Sequence, residues 1–216
     1  ELGAISTFYK NFDSPIERTI RQNTGGEAQF STVRNVDRAQ VYGAEFEMRK
    51  RMDGVTALPV LRNMQFGGNL SLVYSVADIP GAPDDLNTEL GNIIAIDPDA
   101  EGSRPLVGQS PYIINLDATY QNIDRGTTLS VLFNVFGERL ALIAENATPD
   151  VFEQPRPQLD VTASQAFDSL GLAVKAGVSN LLGSDFEETQ TYRGETYVYR
   201  SYELPRRFSL GVTYSL

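Results

Sequence analysis

The chain has 216 residues, with 18 Lys and Arg against 28 Asp and Glu, and a formal net charge of -10. This balance argues against nucleic acid as a partner, because phosphate binding requires clustered basic side chains. Cysteine and histidine are both absent, which excludes disulfide scaffolds, Cys-zinc sites, thiol nucleophiles and a histidine base. The chain is also too apolar for a disordered protein, with hydrophobic residues at 41%.

The first three predicted strands are Leu2–Phe12, Ala39–Met52 and Asn63–Ala77. In the second, Tyr42, Ala44, Phe46 and Met48 alternate with Gly43, Glu45, Glu47 and Arg49, so apolar and polar residues occupy opposite strand faces. In the first strand two faces compete for the apolar role, namely Ile5, Thr7 and Tyr9 against Leu2, Ala4 and Phe8. The segment Leu58–Leu61, after the Asp53-Gly54 turn, receives no assignment.

The same alternation predicts five further strands, which are Pro111–Gln121, Thr127–Phe136, Arg156–Phe167, Gly171–Leu182 and Arg206–Leu216. In the last of them every second residue from Phe208 is apolar and the others are Ser, Gly or Thr. Leu132 and Phe136 interrupt the polar set of the fifth strand. Long polar segments (13–38, 78–110, 137–155 and 183–205) alternate with short turns near Asp53, Asp124 and Asp168.

This pattern predicts an all-β protein, an antiparallel transmembrane β-barrel segment with long extracellular loops and short periplasmic turns. A strand face with the charges of Glu45, Glu47 and Arg49 requires water or mutual pairing, so it does not face a dry core. No apolar run reaches the 18 residues of a transmembrane helix. Tyr74, Tyr120, Phe167 and Tyr214 fall near strand ends, where aromatic girdles lie.

Short motifs occur in a fixed order along most of the chain. They are Phe8–Lys10, Pro15–Glu17, Asn35-Val36, Val41–Glu47, Arg104–Tyr112, Phe133–Arg139, Glu153–Asp160, Ser179–Leu182 and the final strand. Taken together, their order and spacing resemble the C-terminal third of the barrel of TonB-dependent outer-membrane receptors, in the style common among Bacteroidetes-like bacteria. Two positions depart from the family pattern. Leu216 replaces the usual terminal aromatic residue, and Pro205-Arg206 replaces a Gly-Arg pair.

The resemblance implies a barrel of about 22 strands, of which residues 1–216 would be the last eight or so. It implies an N-terminal plug domain and further barrel strands outside this chain, and a TonB segment that pulls on the plug. The implied function is TonB-energised uptake of a scarce large solute, such as a siderophore, cobalamin, an oligosaccharide or a peptide. The implied location is the cell outer membrane. The implied partners are the lipid bilayer, the plug and remaining strands, TonB and the solute, with no enzymatic activity and no cofactor.

The candidate ligand contacts lie in one tyrosine-rich segment, because aromatic faces and guanidinium groups suit sugars, aromatic siderophores or carboxylates. They are Tyr192, Arg193, Tyr197, Tyr199, Arg200 and Tyr202. The competing interpretation is that these side chains stabilise cross-strand pairs in a hairpin. The charged residues expected to face the lumen are Glu45, Glu47, Arg49, Asp117, Asp160 and Lys175. They would be plug contacts, a wet path for solute, or a charge network that only tolerates water.

Acidic residues crowd one long segment (Asp78, Asp84, Asp85, Glu89, Asp97, Asp99 and Glu101), where oxygen ligands could hold Ca²⁺. The spacing fits no EF-hand, so a solvated loop is the preferred interpretation and no metal site is predicted. The alternative function is a small self-contained outer-membrane barrel with a structural or adhesion role. It is disfavoured because Ser130, Gly177 and Ser209 are too small to fill a closed lumen. An outer-membrane enzyme is disfavoured by the lack of His and Cys.

Overall fold

A computed structural model describes residues 1–22, 29–36, 38–54, 58–78, 103–145 and 149–215. Its strands are β1 (Leu2–Asp13), β2 (Ile16–Gln22), β3 (Gln29–Asn35), β4 (Arg38–Arg51), β5 (Met64–Asp78), β6 (Ser103–Arg104), β7 (Tyr112–Asn122), β8 (Thr127–Phe136), β9 (Arg139–Glu145), β10 (Val151–Glu153), β11 (Gln158–Phe167), β12 (Leu172–Ser179), β13 (Phe186–Tyr192), β14 (Glu195–Tyr202) and β15 (Arg207–Tyr214). Pro59–Arg62 forms one helical turn, α1, inside the segment that the sequence left unassigned. Across these ranges, no helix is long and apolar enough to cross a membrane.

The larger sheet, which we call the wall, follows the order β1-β4-β5-β7-β8-β11-β12-β15, with the short β6 added on β5. Each strand pairs antiparallel with its neighbours in this order. These eight strands are the eight that the alternation predicts, displaced by a few residues at their ends. The prediction of an all-β antiparallel barrel segment is therefore confirmed.

One face of the wall is apolar across its whole width. Directly paired residues of an antiparallel sheet share a face, and the pairing brings Ile5, Phe46, Leu70, Ile114 and Val135 into one transverse row. A second row runs from Val131 through Val161 and Val178 to Phe208. The outer members of these rows lack a covering layer, since Ile5 is 74% exposed and Phe208 73%. A wide, uncovered apolar face is the surface that a barrel presents to lipid.

The register also decides which face of β1 is apolar. Ile5 lies opposite Phe46 and Tyr9 opposite Tyr42, so the set of Ile5, Thr7 and Tyr9 belongs to the apolar face. Phe8 lies on the other face, where its ring covers Gly43 so closely that a Cβ there would overlap it. The alternation within β1 alone cannot choose between the sets, because both contain large apolar residues.

Aromatic residues mark both edges of the apolar band. Tyr9, Tyr42 and Tyr74 form one transverse row at the end that carries the long segments, with the Tyr9 and Tyr42 rings 5.0 Å apart. Phe66 lies near the other end of β5. Tyr74 and Phe66 are separated by about 26 Å of strand at ~3.3 Å per residue, or about 20 Å along the membrane normal at a tilt of about 40°. This height is comparable to the apolar band of about 25 Å on outer-membrane barrels.

The long segments build a second sheet, which we call the loop sheet, of order β14-β13-β10-β9-β2-β3. The sequence predicts a loop for 137–155, whereas the structure forms β9 and β10 there. The segment 183–205 forms the hairpin β13–β14. In the first long segment, 13–38, the Gly25-Gly26 pair favours a loop tip, and this pair lies outside the described residues.

The main buried core of the described residues lies on the polar face of the wall, at the end that carries the long segments. Ala39, Val41, Ala77 and Phe136 alternate along their strands with apolar-face residues, so they belong to the polar face, and all four are buried. Val36 and Leu106 pack against Ala39 and Ala77 from above. This explains why Phe136 interrupts the polar set of β8, since at this height the face is covered by protein.

The assignment of the faces predicts that a lysine destabilises the barrel strongly at one position of β11 and only weakly at the next. Val161→Lys places a charge near the centre of the lipid face and should destabilise the folded barrel by about 2–4 kcal/mol. Thr162→Lys, on the polar face, should cost much less. Urea unfolding of the full-length protein in lipid bilayers measures both. Equal costs would contradict the assignment of the faces.

Candidate functional site

The six charged residues predicted to face the lumen share the polar face of the wall. The pairing of Gly67 with Arg49 and Asp117, and of Leu132 with Asp117 and Asp160, connects Arg49, Asp117 and Asp160 into one row. Glu45 and Glu47 precede Arg49 at alternate positions of β4, and Lys175 joins the same face opposite Ser164. Glu47 accepts an ion pair from Arg49 Nε at 3.1 Å. The charges therefore line one surface, opposite the apolar band.

A row of amides runs beside these charges. Asn134 Nδ2 donates to Asn115 Oδ1 at 2.7 Å, and Asn115 Nδ2 donates to Asn69 Oδ1 at 3.4 Å, so three neighbouring strands are joined through their side chains. A shallow depression of about 210 Å³ opens next to this row, between Asn115, Asp117, Leu132, Asn134, Gln158 and Asp160. Its rim combines amide donors with two carboxylates, which suits a hydrated polar surface.

The two carboxylates of the depression have structural contacts of their own. Asp117 lies over Gly67, where a Cβ would overlap the carboxylate, so the glycine makes room for the charge. Asp160 Oδ1 accepts the backbone N–H of Asn180 at 2.9 Å. Asn180 has a positive φ of 53° and is 5% exposed. Its side-chain amide donates to the carbonyl of Leu204 at 2.6 Å, which ties the start and the end of the β13–β14 excursion together.

A buried ion pair joins the loop sheet to the wall. Glu17 of β2 is 2% exposed and pairs with both terminal nitrogens of Arg104, whose side chain is 8% exposed. The backbone N–H of Val107 also donates to Glu17 Oε1, at 3.1 Å. The segment 104–111, which we call the strap, continues with Leu106, whose N–H donates to Ser75 Oγ on the polar face of β5. Because the pair is buried, replacing only one of its two residues is strongly destabilising.

Four charges form a transverse row across the middle of the loop sheet. Arg139, Glu153, Glu188 and Arg200 lie directly opposite one another on β9, β10, β13 and β14. Arg139 Nε donates to Glu153 Oε2 at 2.8 Å, and Arg200 Nε and Nη2 donate to the two oxygens of Glu188 at 3.0 and 2.8 Å. Two adjacent glutamates would repel each other, so the flanking guanidinium groups make the row electrically balanced.

The predicted ligand segment is the hairpin β13–β14. Arg193 and Gly194 both have positive φ, 51° and 82°, and Tyr192 pairs with Glu195 across them. This is the geometry of a two-residue type I′ turn, for which Gly is well suited. The Arg193 guanidinium lies 5.2 Å from the centre of the Tyr192 ring.

A bulge changes which tyrosines share a face of the hairpin. Alternation along β14 would separate Tyr197 from Arg200 and Tyr202. In the structure Glu188 pairs with Arg200 while Thr189 pairs with Val198, so Tyr199 is an extra residue on its strand. Gln190, on the same face of β13 as Glu188, then pairs with Tyr197. The bulge therefore brings Tyr192, Tyr197, Arg200 and Tyr202 onto one face, which we call the tyrosine face.

Two contacts on the tyrosine face are internal to the hairpin. The rings of Tyr202 and Phe186 are stacked, with centroids 4.5 Å apart. Arg200 is committed to Glu188, and this hydrogen bonding raises the pKa of the Arg200 guanidinium above its ordinary value. Tyr197 and Tyr202 remain 56% and 50% exposed. The face thus presents aromatic rings, and the charge of Arg200 on it is already neutralised by Glu188.

Sequence reasoning did not single out Glu17, Arg104, Arg139, Glu153 or Glu188. Glu17 and Arg104 are 87 residues apart, so the chain carries no local signal for their pairing. Arg139 and Glu153, and Glu188 and Arg200, pair within single hairpins, and their contacts depend on strand registers that the sequence does not show. The acidic segment considered for Ca²⁺ lies outside the described residues, apart from the backbone of Asp78. No cluster of metal-binding side chains occurs within the ranges given above.

Comparison with known proteins supports the interpretation of the wall as part of a β-barrel. A family model described as TonB dependent receptor-like, beta-barrel matches residues 2–181, so the chain belongs to the TonB-dependent receptor β-barrel family. This is a family of outer-membrane receptors and transporters rather than enzymes. No curated protein and no solved structure matches the chain.

The buried ion pair predicts a large effect from one substitution. Arg104→Met leaves the Glu17 carboxylate buried without its partner and should destabilise the packing of the loop sheet by about 3–5 kcal/mol. Arg18 is an exposed residue next to Glu17 on β2. Arg18→Met should therefore change the stability by less than about 0.5 kcal/mol.

Protease accessibility of the loop sheet in the full-length protein, measured on intact cells, distinguishes the two variants. The double variant Glu17→Leu/Arg104→Met should recover part of the loss, because it removes the unpaired charge. Equal protection of Arg104→Met and the wild type would contradict a structural role for this pair.

Proposed function

We propose that the chain is the C-terminal barrel portion, over residues 1–216, of a receptor in the cell outer membrane that imports a scarce large solute with energy from TonB. The observation that carries this proposal is the family match over a wall with one lipid-type face and one hydrated polar face. An N-terminal plug, the remaining barrel strands and TonB are the partners that this function requires. The polar face, with Glu45, Glu47, Arg49, Asp117, Asp160 and Lys175, would line the lumen around that plug.

The tyrosine face is our candidate for contact with the solute outside the membrane. Its Tyr197 and Tyr202 rings are exposed, and it sits on the hairpin between β12 and β15, in one of the long segments expected to be extracellular. The bidentate bond to Glu188 occupies Nε and Nη2 of Arg200, so the guanidinium cannot also present its full fork to a carboxylate. Stacking on tyrosine rings then favours a neutral ligand with apolar ring faces and hydroxyl groups, such as an oligosaccharide.

Uptake measurements test the transport function. Cells with and without the full-length protein would be supplied with labelled ferric chelates, cobalamin, oligosaccharides and peptides. Accumulation of one class that requires both the protein and TonB supports the proposal. Accumulation that is independent of TonB, or that is the same without the protein, would favour the self-contained barrel with a structural or adhesion role.

If the tyrosine face binds the solute, a substitution on this face should weaken solute binding. A substitution at the next residue, on the opposite face, should not. Tyr197→Ala removes an exposed ring, and the loss of a stacking contact of about 1–1.5 kcal/mol should raise the half-saturating solute concentration about tenfold. Val198→Ala lies on the opposite face of the same strand, is equally exposed at 59%, and should leave it unchanged. The maximal uptake rate should be the same for both variants. Identical half-saturation for Tyr197→Ala and wild type would remove the tyrosine face from the solute site while leaving the transport function untouched.

A further inference from the structure

We infer that the loop sheet is a single cooperative body fixed to the wall. Its first hairpin (β2–β3), second hairpin (β9–β10) and third hairpin (β13–β14) therefore open together or remain closed together. This goes beyond the uptake function, which would also be compatible with three independently moving loops. The consequence for recognition is that the tyrosine face is held in place before any solute arrives. A surface that is ordered in advance loses less conformational entropy on binding.

Two seams join hairpins that come from different segments. At the first, β2 runs parallel to β9, with Thr19 opposite Ile143 and Ile20 opposite Ala144. Thr19, Ile20 and Ile143 are buried there. At the second seam, β10 pairs antiparallel with β13, and the backbone N–H of Gln154 donates to Glu187 at 2.9 Å. Backbone ladders therefore continue without a break from β3 to β14.

Side chains bridge the second seam as well. The Gln154 amide donates to Thr189 Oγ1 at 2.8 Å and to Glu138 Oε2 at 2.6 Å, and so contacts both sides of the seam. The charge row described above crosses the same seam, where Glu153 lies opposite Glu188 and each glutamate is neutralised by the arginine of its own hairpin. Separation of β10 from β13 would expose Glu188, whose side chain is 5% exposed. Opening at this seam therefore disrupts several contacts at once.

The strap fixes the first hairpin and the second to the wall. The Arg104 guanidinium and the Val107 N–H both donate to the Glu17 carboxylate of β2. The Leu106 N–H donates to the Ser75 hydroxyl of β5. The Gly108 N–H donates to the Leu140 carbonyl of β9 at 2.8 Å. Below these contacts, Val36, Ala39 and Ala77 are at most 1% exposed. Regions that open independently have few buried contacts and exposed backbone hydrogen bonds. The centre of the loop sheet has the opposite properties.

Hydrogen exchange of the full-length protein in lipid nanodiscs tests the inference without any ligand. In rising urea, the exchange curves of the amides in β2, β9, β10 and β13 should merge into one opening, while the edge strands β3 and β14 exchange faster. Separate openings for the three hairpins in the wild-type protein would overturn the inference.

Two variants with opposite expected signs extend this test. The Arg104 side chain contacts the first hairpin and the strap. The variant Arg104→Met should nevertheless accelerate amide exchange in β2, β9, β10 and β13 by a similar factor. Thr19→Val removes a buried hydroxyl that has no hydrogen-bond partner, and it should slow exchange severalfold in the same four strands. Acceleration confined to β2 and β3 in Arg104→Met, or slowing confined to them in Thr19→Val, would overturn the inference.

Thr196→Val is the matched control. It makes the same substitution at an exposed site, where the Thr196 hydroxyl lies 3.4 Å from that of Thr191 within one hairpin. Its effect should stay within the edge strand β14. The exchange of wall strands β5 and β7 should be unchanged in all three variants, which shows that the barrel itself is intact in each.

Discussion

The pairing of backbone N–H and C=O groups inside a hydrocarbon layer constrains this whole structure. Water is absent there, so each group must find its partner in a neighbouring strand. The wall meets this demand with an antiparallel meander in which every strand is bonded to those beside it. Once the ladders are fixed, alternate side chains have no choice of environment. One set faces lipid and the other faces the opposite side, and this division determines nearly everything else about the sequence.

The polar face is not uniform along its height. Toward the short turns it carries amides, small hydroxyls and charges, as expected for a surface in contact with water. Toward the long segments it becomes apolar, with Val41, Ala77 and Phe136 buried. The Arg139 guanidinium lies 4.3 Å from the centre of the Phe136 ring, so even the covering layer presents a charge to this aromatic residue. The same strand face thus serves two environments in succession, and the change occurs where the loop sheet and the strap begin.

The sequence is sufficient to predict the wall, because membrane burial imposes a period of two that each strand shows by itself. Phe208, Leu210, Val212 and Tyr214 are enough to identify β15 and its lipid face. The loop sheet is different. Leu140 and Ile143 belong to a buried strand, but their segment has no regular alternation, since its burial depends on partners such as Ile20 from a distant part of the chain. The position of Tyr197 relative to Arg200 depends on a bulge at Tyr199. The sequence of β14 contains no pattern that predicts this bulge. Long-range pairing and local irregularity were therefore the parts that could not be derived.

The parallel ladder between β2 and β9 has a consequence for how the protein is made. Antiparallel neighbours in the wall are close in sequence and can associate as they emerge, whereas Thr19 and Ile143 are separated by four complete wall strands, β4, β5, β7 and β8. Closing so large a loop carries an entropic penalty that falls once the intervening chain is already in place. The seam should consequently form late in biogenesis, after insertion of the strands has brought the two segments to the same side of the bilayer. The outer surface of the receptor would then mature only on a barrel arc that is correctly registered.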